Sequence, residues 1–405
     1  LTQEPPLALS ALTLPRGLWQ QIARGAPDPG TVRLLRAARA GRNLLLLRAL
    51  HHGRHDGAGW DAAIALLATV RHHSPAVFDA LITDPTTGTV LAEAVRGRRH
   101  HVVTVLAAVA GHRADIPFRL DVPVPGGTLV LPGLGRVTLD PGASTACVER
   151  GPDGTRVTRQ GSRTVVPVPD TPGDAVPGWE PVHRLRLTAH GAPLALRLDS
   201  NGVPGPGGPR LLGPAELARW RDRLGAAWER LADRHPERAD TVRGTVRAVV
   251  PLDPVPSGLG SRGLRLSASF SDAIGLVALA PLDDPAELAA VLVHETQHSL
   301  LYALQDLTRL LDARPGARGH APWSGRLRPP SALLQGAAAF LVTAGFWRTE
   351  AAFGNPLAPA AYERWRHTAR RAGDELVRGG WLTADGHLLL TAMREVLEDW
   401  ERRPA

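Results

Sequence analysis

The chain has 405 residues, 43% of them apolar, and a formal charge of +8. That is enough apolar side chain for two or three packed domains or one large multilayer unit, and it excludes an intrinsically disordered protein. All 47 basic residues are arginine; with abundant Ala, Gly and Pro this is the bias of a GC-rich genome, so the charge alone does not point to nucleic acid, and no RNA-binding or zinc-finger pattern accompanies it. Cys147 is the only cysteine, which excludes an intramolecular disulfide and a cysteine-rich metal knot. No signal segment is read ahead of the first helices, and no apolar run approaches the ~20 residues needed to span a bilayer. A cytoplasmic enzyme with neither nucleic-acid nor membrane partners is expected.

Residues 1–112 read as helical, with apolar runs such as Leu44 to Leu47, Ala62 to Val70 and Val102 to Val109 separated by Gly, Pro and Asp breaks. The histidine clusters here (His51-His52 with His55, His72-His73, His100-His101) are read as solvated or hydrogen-bonded, because adjacent helical side chains point about 100° apart. Over 113–200 the period drops to two. Phe118 to Val124, Gly127 to Leu131, Arg136 to Leu139, Thr155 to Thr158, Thr164 to Val168, His183 to Leu187 and Leu194 to Leu198 predict antiparallel strands joined by Gly and Pro turns.

The next region, 201–280, opens on a Gly- and Pro-rich linker, Asn201 to Gly213, that lacks the ending of a phosphate-binding loop. A helix follows, with Pro214 near its start and Leu217, Trp220, Leu224, Trp228 and Leu231 as a core stripe. Strands are expected near Val246 to Leu252, Leu264 to Phe270 and Gly275 to Ala280; the polar Ser267 to Asp272 lines a cleft or forms a simple turn.

The last region, 281–405, holds the most informative stretch, Val291 to Leu300, with His294-Glu295-x-x-His298 inside an apolar run. Histidines four apart on a helix stand on one face and can reach one ion. Asp284 as N-cap, Pro285 at the first helical position and Glu287 three residues after the cap predict where this helix begins; Arg314-Pro315-Gly316 predicts where it stops. Leucines and valines all round its circumference describe a buried helix, in which two histidines and a glutamate need partners.

A catalytic metal takes three protein ligands and keeps a position open. The motif that supplies a third histidine from the same segment requires glycine at position 301 and histidine at 304; the chain has Leu301 and Leu304, which excludes it. The other common solution is a Glu-Gly-x-Ala string on a second helix. Pro329 to Arg348 reads as that helix, with Gln335-Gly336-Ala337-Ala338 in the string's place. Gln335 is thus a candidate as weak ligand, as orienting partner, as holder of a metal-bound water, or as a polar residue bonded within the core. His320 and Glu350 are further candidates, and Glu295 would be the general base of a zinc hydrolase.

Several segments together carry a resemblance: Leu292 to Leu301, Ala321-Pro322-Trp323, Arg328-Pro329, Leu334-Gln335-Gly336 and Phe346-Trp347-Arg348, with fainter echoes at Leu131 to Gly135, Trp220 to Leu231 and Ala392-Met393-Arg394. In these the chain resembles the HExxH-type peptide β-hydroxylases, which use 2-oxoglutarate to modify ribosomally made peptides. The resemblance implies Fe(II) on His294 and His298, with Glu295 orienting a ligand. It also implies 2-oxoglutarate gripped by an arginine, Arg328 first and Arg348 second, and a precursor peptide as substrate. The chain departs from those relatives at Ser324-Gly325-Arg326-Leu327, where they carry Arg after Pro-Trp and an acidic stretch before Arg-Pro, and at Asp199-Ser200-Asn201, where they are richer in Asp.

The expected fold is α+β: an N-terminal helical region, a central antiparallel sheet and a C-terminal helical metal domain. The expected activity is iron- and 2-oxoglutarate-dependent β-hydroxylation of a precursor peptide. The rivals are a zinc metallopeptidase of the gluzincin-like type and a catalytically silent peptide-binding protein.

Overall fold

Proline and capping groups place the starts of the first helices. The computed structural model describes residues 14–15, 17–53, 59–97, 101–139, 142–159, 165–171, 173–199, 212–253 and 267–403. It opens with α1 (Leu18–Arg24), α2 (Pro29–His52), α3 (Trp60–His73), α4 (Pro75–Ile82), α5 (Pro85–Gly97) and α6 (Val102–Ala114). Asp28 caps α2, its carboxylate accepting from the Thr31 N–H at 2.7 Å, with Pro29 at the first helical position. His55, His100, Ser200 and 201–211 of the expected linker lie outside the described residues.

The region of period two forms β1 (Phe118–Pro123), β2 (Thr128–Leu131), β3 (Gly135–Thr138), β4 (Thr145–Gly151), β5 (Gly154–Arg159), β6 (Val165–Val168), β7 (Trp179–Pro181), β8 (His183–Ala189) and β9 (Ala192–Leu198). These do not make one sheet. Strands β1-β4-β5-β6 form a four-stranded antiparallel sheet and β2-β3-β7 a three-stranded one, and both pack against α3 to α6 in one apolar core. The hairpin β8-β9 instead belongs to a mixed sheet of order β11-β12-β10-β9-β8, completed by β10 (Ala248–Pro251), β11 (Ser267–Ser269) and β12 (Leu276–Leu279). There β10 runs parallel to both β9 and β12. Parallel pairing needs a crossover, and α7 (Pro214–Arg234) with α8 (Pro236–Thr245) provides it between β9 and β10.

The second and larger core joins this mixed sheet to α9 (Pro285–Gln305), α10 (Pro330–Ala352), α11 (Ala358–Arg378) and α12 (Ala384–Arg402), and α1 packs into it as well. A short hairpin, β13 (Gly319–Ala321) with β14 (Arg326–Arg328), precedes α10. Buried ion pairs tie the two cores together: Arg197 on β9 grips Asp84, ahead of α5, at 2.7 and 2.9 Å. Burial opposes ionisation of Asp84, but the Arg197 charge outweighs it and holds the carboxyl well below its usual range. The fold is therefore α+β.

Two further expectations are corrected. Helix α9 ends at Gln305, not near Arg314, because Asp306 turns away to pair with Arg39 at 3.0 Å and Leu311 bridges to Leu382. And one helix, α10, is long and apolar enough to cross a membrane, but 89% of its apolar window is buried inside the protein.

Candidate metal centre

The Asp284 carboxylate accepts from the N–H groups of Ala286 and Glu287 at 2.6 and 3.1 Å, with Pro285 at the first helical position, so α9 begins as its sequence demands. Ten residues on, His294 and His298 stand one turn apart, their ring planes at 87°. Helix α10 runs antiparallel beside them and supplies a partner to each. The Thr343 hydroxyl lies 3.1 Å from Nδ1 of His294 and donates its own proton to the Ala339 carbonyl at 2.8 Å. A hydroxyl with its proton committed can only accept, so His294 Nδ1 carries hydrogen.

His298 is held in the same way. Its Nδ1 lies 2.8 Å from Oε1 of Gln335, whose amide nitrogen in turn donates to Gln305 at 3.3 Å. Both Nδ1 atoms therefore donate, and both Nε2 atoms present bare lone pairs to one another, 3.2 Å apart. Two lone pairs cannot share a hydrogen bond; a cation between them resolves the arrangement. Metal–imidazole bonds of about 2.0–2.1 Å at octahedral or tetrahedral angles put donor atoms about 2.8–3.4 Å apart, a range that includes this pair. Burial, and then the neighbouring His298, push the His294 imidazole well below its ordinary value, so it stays neutral and able to ligate.

Glu295 completes the donor set. Ligand atoms of His294, Glu295 and His298 all lie within 4.8 Å of one another. Glu295 is 2% exposed, and its Oε2 has no hydrogen-bond partner among the described residues. An orphaned carboxylate oxygen beside two bare imidazole nitrogens fits a divalent cation.

The three side chains open on a cavity of about 850 Å³. The stretch Ser267 to Asp272 does border a cleft: Ser267, Ser269 and Ser271 form one wall. Another part of the lining is aromatic, with Phe340 stacked on Trp365 at 4.8 Å and touching both Trp323 and His294. Trp323 lies directly over Gly336, where an added Cβ would come within 2.5 Å of the indole. The glycine of the Gln-Gly-Ala-Ala string thus makes room for the tryptophan of the Ala-Pro-Trp segment.

Gln335 reaches the site, but its oxygen faces the back of His298 and does not join the metal donors. Arg328 lines the cavity, exposed, its guanidinium without an ion pair or hydrogen bond among the described residues. Arg348 does not: it sits thirteen residues beyond Gln335, about 20 Å along α10, and donates to the Arg403 carbonyl. His320 is exposed on β13, its backbone N–H held by Glu375 at 2.9 Å. Glu350 is fully buried among Arg230, Arg234, His235 and Asn355, away from the cavity.

Two further lining residues, Tyr302 and Gln305, continue the Glu295–His298 face along α9. Burial and then the Glu295 charge raise the Tyr302 phenol above its ordinary value, so it is a protonated donor. Extending the His-Glu-x-x-His face by two turns finds both. Gln335→Leu is expected to weaken metal binding about 10–100-fold, the usual cost of an orienting partner. Competition with a chelator measures this, and an unchanged affinity would show that Gln335 does not set the His298 tautomer.

No protein-family model matches the chain and no curated protein matches it significantly, which leaves the opposed imidazoles and the cavity around them as the ground for its function.

Proposed function

We propose that the protein is a non-haem iron, 2-oxoglutarate-dependent oxygenase that hydroxylates a β-carbon in a ribosomally made precursor peptide, acting in the cytoplasm. The observation that carries this reading is the donor set: two neutral imidazoles and one unpartnered carboxylate, side by side on an open cavity, as non-haem Fe(II) oxygenases require. His294 and His298 would hold the ion, with Glu295 as third donor or as acceptor for a bound water. Iron with 2-oxoglutarate supplies the oxidative chemistry, with succinate and carbon dioxide as by-products.

The chain's own residues do the positioning. Thr343 and Gln335 keep both imidazoles in the ligating tautomer. Arg328, without a counter-charge among the described residues, can take a distal carboxylate with two parallel hydrogen bonds. Tyr302 offers a hydroxyl proton beside Glu295, and Phe340 with Trp323 forms an apolar part of the lining.

The zinc peptidase reading is favoured by one feature, the Glu295–Tyr302 neighbourhood, which would pair a general base with a phenol donor. A single experiment separates the readings: Fe(II) and 2-oxoglutarate are added anaerobically with a peptide mixture, air is admitted, and products are weighed by mass spectrometry. Succinate with a one-oxygen gain on peptide is the expected result. Zinc-dependent cleavage would establish the peptidase instead, and peptide retention with no product would establish a silent binder.

A further inference from the structure

Two arginines of β14, Arg326 and Arg328, line the metal cavity. Residues two apart on a strand share a face, so both point to the same side of the hairpin. Neither guanidinium has an ion pair or hydrogen bond among the described residues. In the same half of the chain, Arg366, Arg370, Arg378 and Arg394 each sit on a carboxylate. Other exposed arginines, such as Arg318 and Arg371, also lack a side-chain partner among the described residues; what sets Arg326 and Arg328 apart is that they line the metal cavity together.

Charge bookkeeping says what is missing. The lining side chains include two guanidiniums and one carboxylate, Glu295. A divalent ion on the imidazoles adds two positive charges, and a dicarboxylate co-substrate removes two. One guanidinium is still without a counter-charge. The serines of the facing wall and Gln305 are neutral and cannot supply it. Position distinguishes the arginines: Arg328 leads through Pro329 into α10, whose Ser331 and Gln335 line the cavity, whereas Arg326 follows the hairpin turn at Ser324-Gly325. They are separated by about 6.6 Å along the strand, enough for one ligand group each.

We infer that Arg326 is a specificity-determining residue that pairs with a carboxylate side chain of the substrate, so the preferred peptide carries Asp or Glu close to the residue held in the cavity. This rests on the reading above, in which the substrate is a peptide and Arg328 takes the co-substrate. A guanidinium and a carboxylate meet through charge-assisted hydrogen bonds, which a neutral Asn or Gln cannot match. The expected discrimination is about tenfold.

The test uses the full chain, immobilised, loaded anaerobically with Fe(II) and 2-oxoglutarate, and incubated with a synthetic library of capped, randomised hexapeptides. Retained peptides are sequenced. Asp and Glu should be enriched about tenfold over Asn and Gln at one position for the wild type. Arg326→Gln should abolish that bias, and Arg326→Glu should turn it towards Lys and Arg at the same position. A gain of basic peptides cannot arise from misfolding; should the charge-swapped protein fail to fold, Arg326→Gln decides.

The inference is overturned if the wild type retains no peptides, if retained peptides show no acidic bias, or if the bias survives Arg326→Gln. Admitting air to the same samples separates the two levels. Acidic bias without succinate keeps the Arg326 pairing and sinks the oxygenase. Succinate with oxygenated peptides of no acidic bias does the reverse.

Discussion

His298→Ala protein is expected to emerge from reconstitution with Fe(II) or Zn(II) holding no stoichiometric metal. The wild-type site offers two Nε2 lone pairs 3.2 Å apart and one orphaned carboxylate oxygen. Removing His298 takes away one ligand outright and leaves Gln335 with nothing to orient. The loss should exceed the 10–100-fold that follows from losing an orienting partner alone. Elemental analysis after gel filtration gives the direct reading. Thermal unfolding gives a second: an ion at a hundred times its dissociation constant stabilises the wild type by about 2.7 kcal/mol, and the variant should show no such increment. A variant that still carries one equivalent of metal would place the ion elsewhere and remove the basis for every catalytic reading above.

Glu350→Ala is expected to destabilise the protein by about 3–5 kcal/mol, the cost of breaking a buried charge cluster from one side. The Glu350 side chain is wholly inaccessible and receives Arg230, Arg234 at 3.3 Å, His235 at 3.1 Å and Asn355 at 3.2 Å. These tie α7 and the start of α8 to the C-terminal end of α10. His235 in turn stacks on Phe346 at 4.2 Å, so the cluster is wedged into the core. Without the carboxylate, Arg230 loses its ion-pair partner and Arg234 keeps only Asp233, at 3.6 Å. Urea unfolding measures the loss, and a change under about 1 kcal/mol would mean that water or rearranged side chains replace the carboxylate.

The same group sets an acid limit. Burial alone would raise the Glu350 carboxyl, but hydrogen bonds from His235 and Asn355 and the charge of Arg230 hold it at about 2, below its ordinary 4.5. Because the folded value is the lower one, the stabilisation is complete above the unfolded value and drains away as pH falls from 4.5 towards about 2. Wild-type stability should drop through that window, and Glu350→Gln should lose that part of the dependence.

What could be read in advance was what is encoded locally. The start of α9 lies in Asp284-Pro285 and three residues beyond, and the His294–His298 pair is a matter of helical spacing, so both stood in plain sight. Alternation likewise placed most of β1 to β9, but alternation does not say which strands pair. That β8-β9 would leave its antiparallel neighbours and run beside β10 depends on a crossover of some fifty residues. Strand β4 escaped because its burial is not alternating: Ala146, Cys147 and Val148 are all covered. The end of α9 is not legible locally because what stops it, Arg39 and Leu382, lies far off in sequence. Arg348 is a simpler case, since thirteen helical residues already put it beyond reach of Gln335.

The β13-β14 hairpin has a consequence for how this protein can change over time. Its two arginines and Trp323 border the chamber, and it meets α10 where the indole rests on bare Gly336 and where Gly319 lies against Leu333. Mutations on that flap can alter which molecules are admitted while His294, Glu295 and His298 keep their hold. On the proposed function, changes at the doorway are thereby separated from the hearth, and new preferences could arise in a lineage without an inactive ancestor in between.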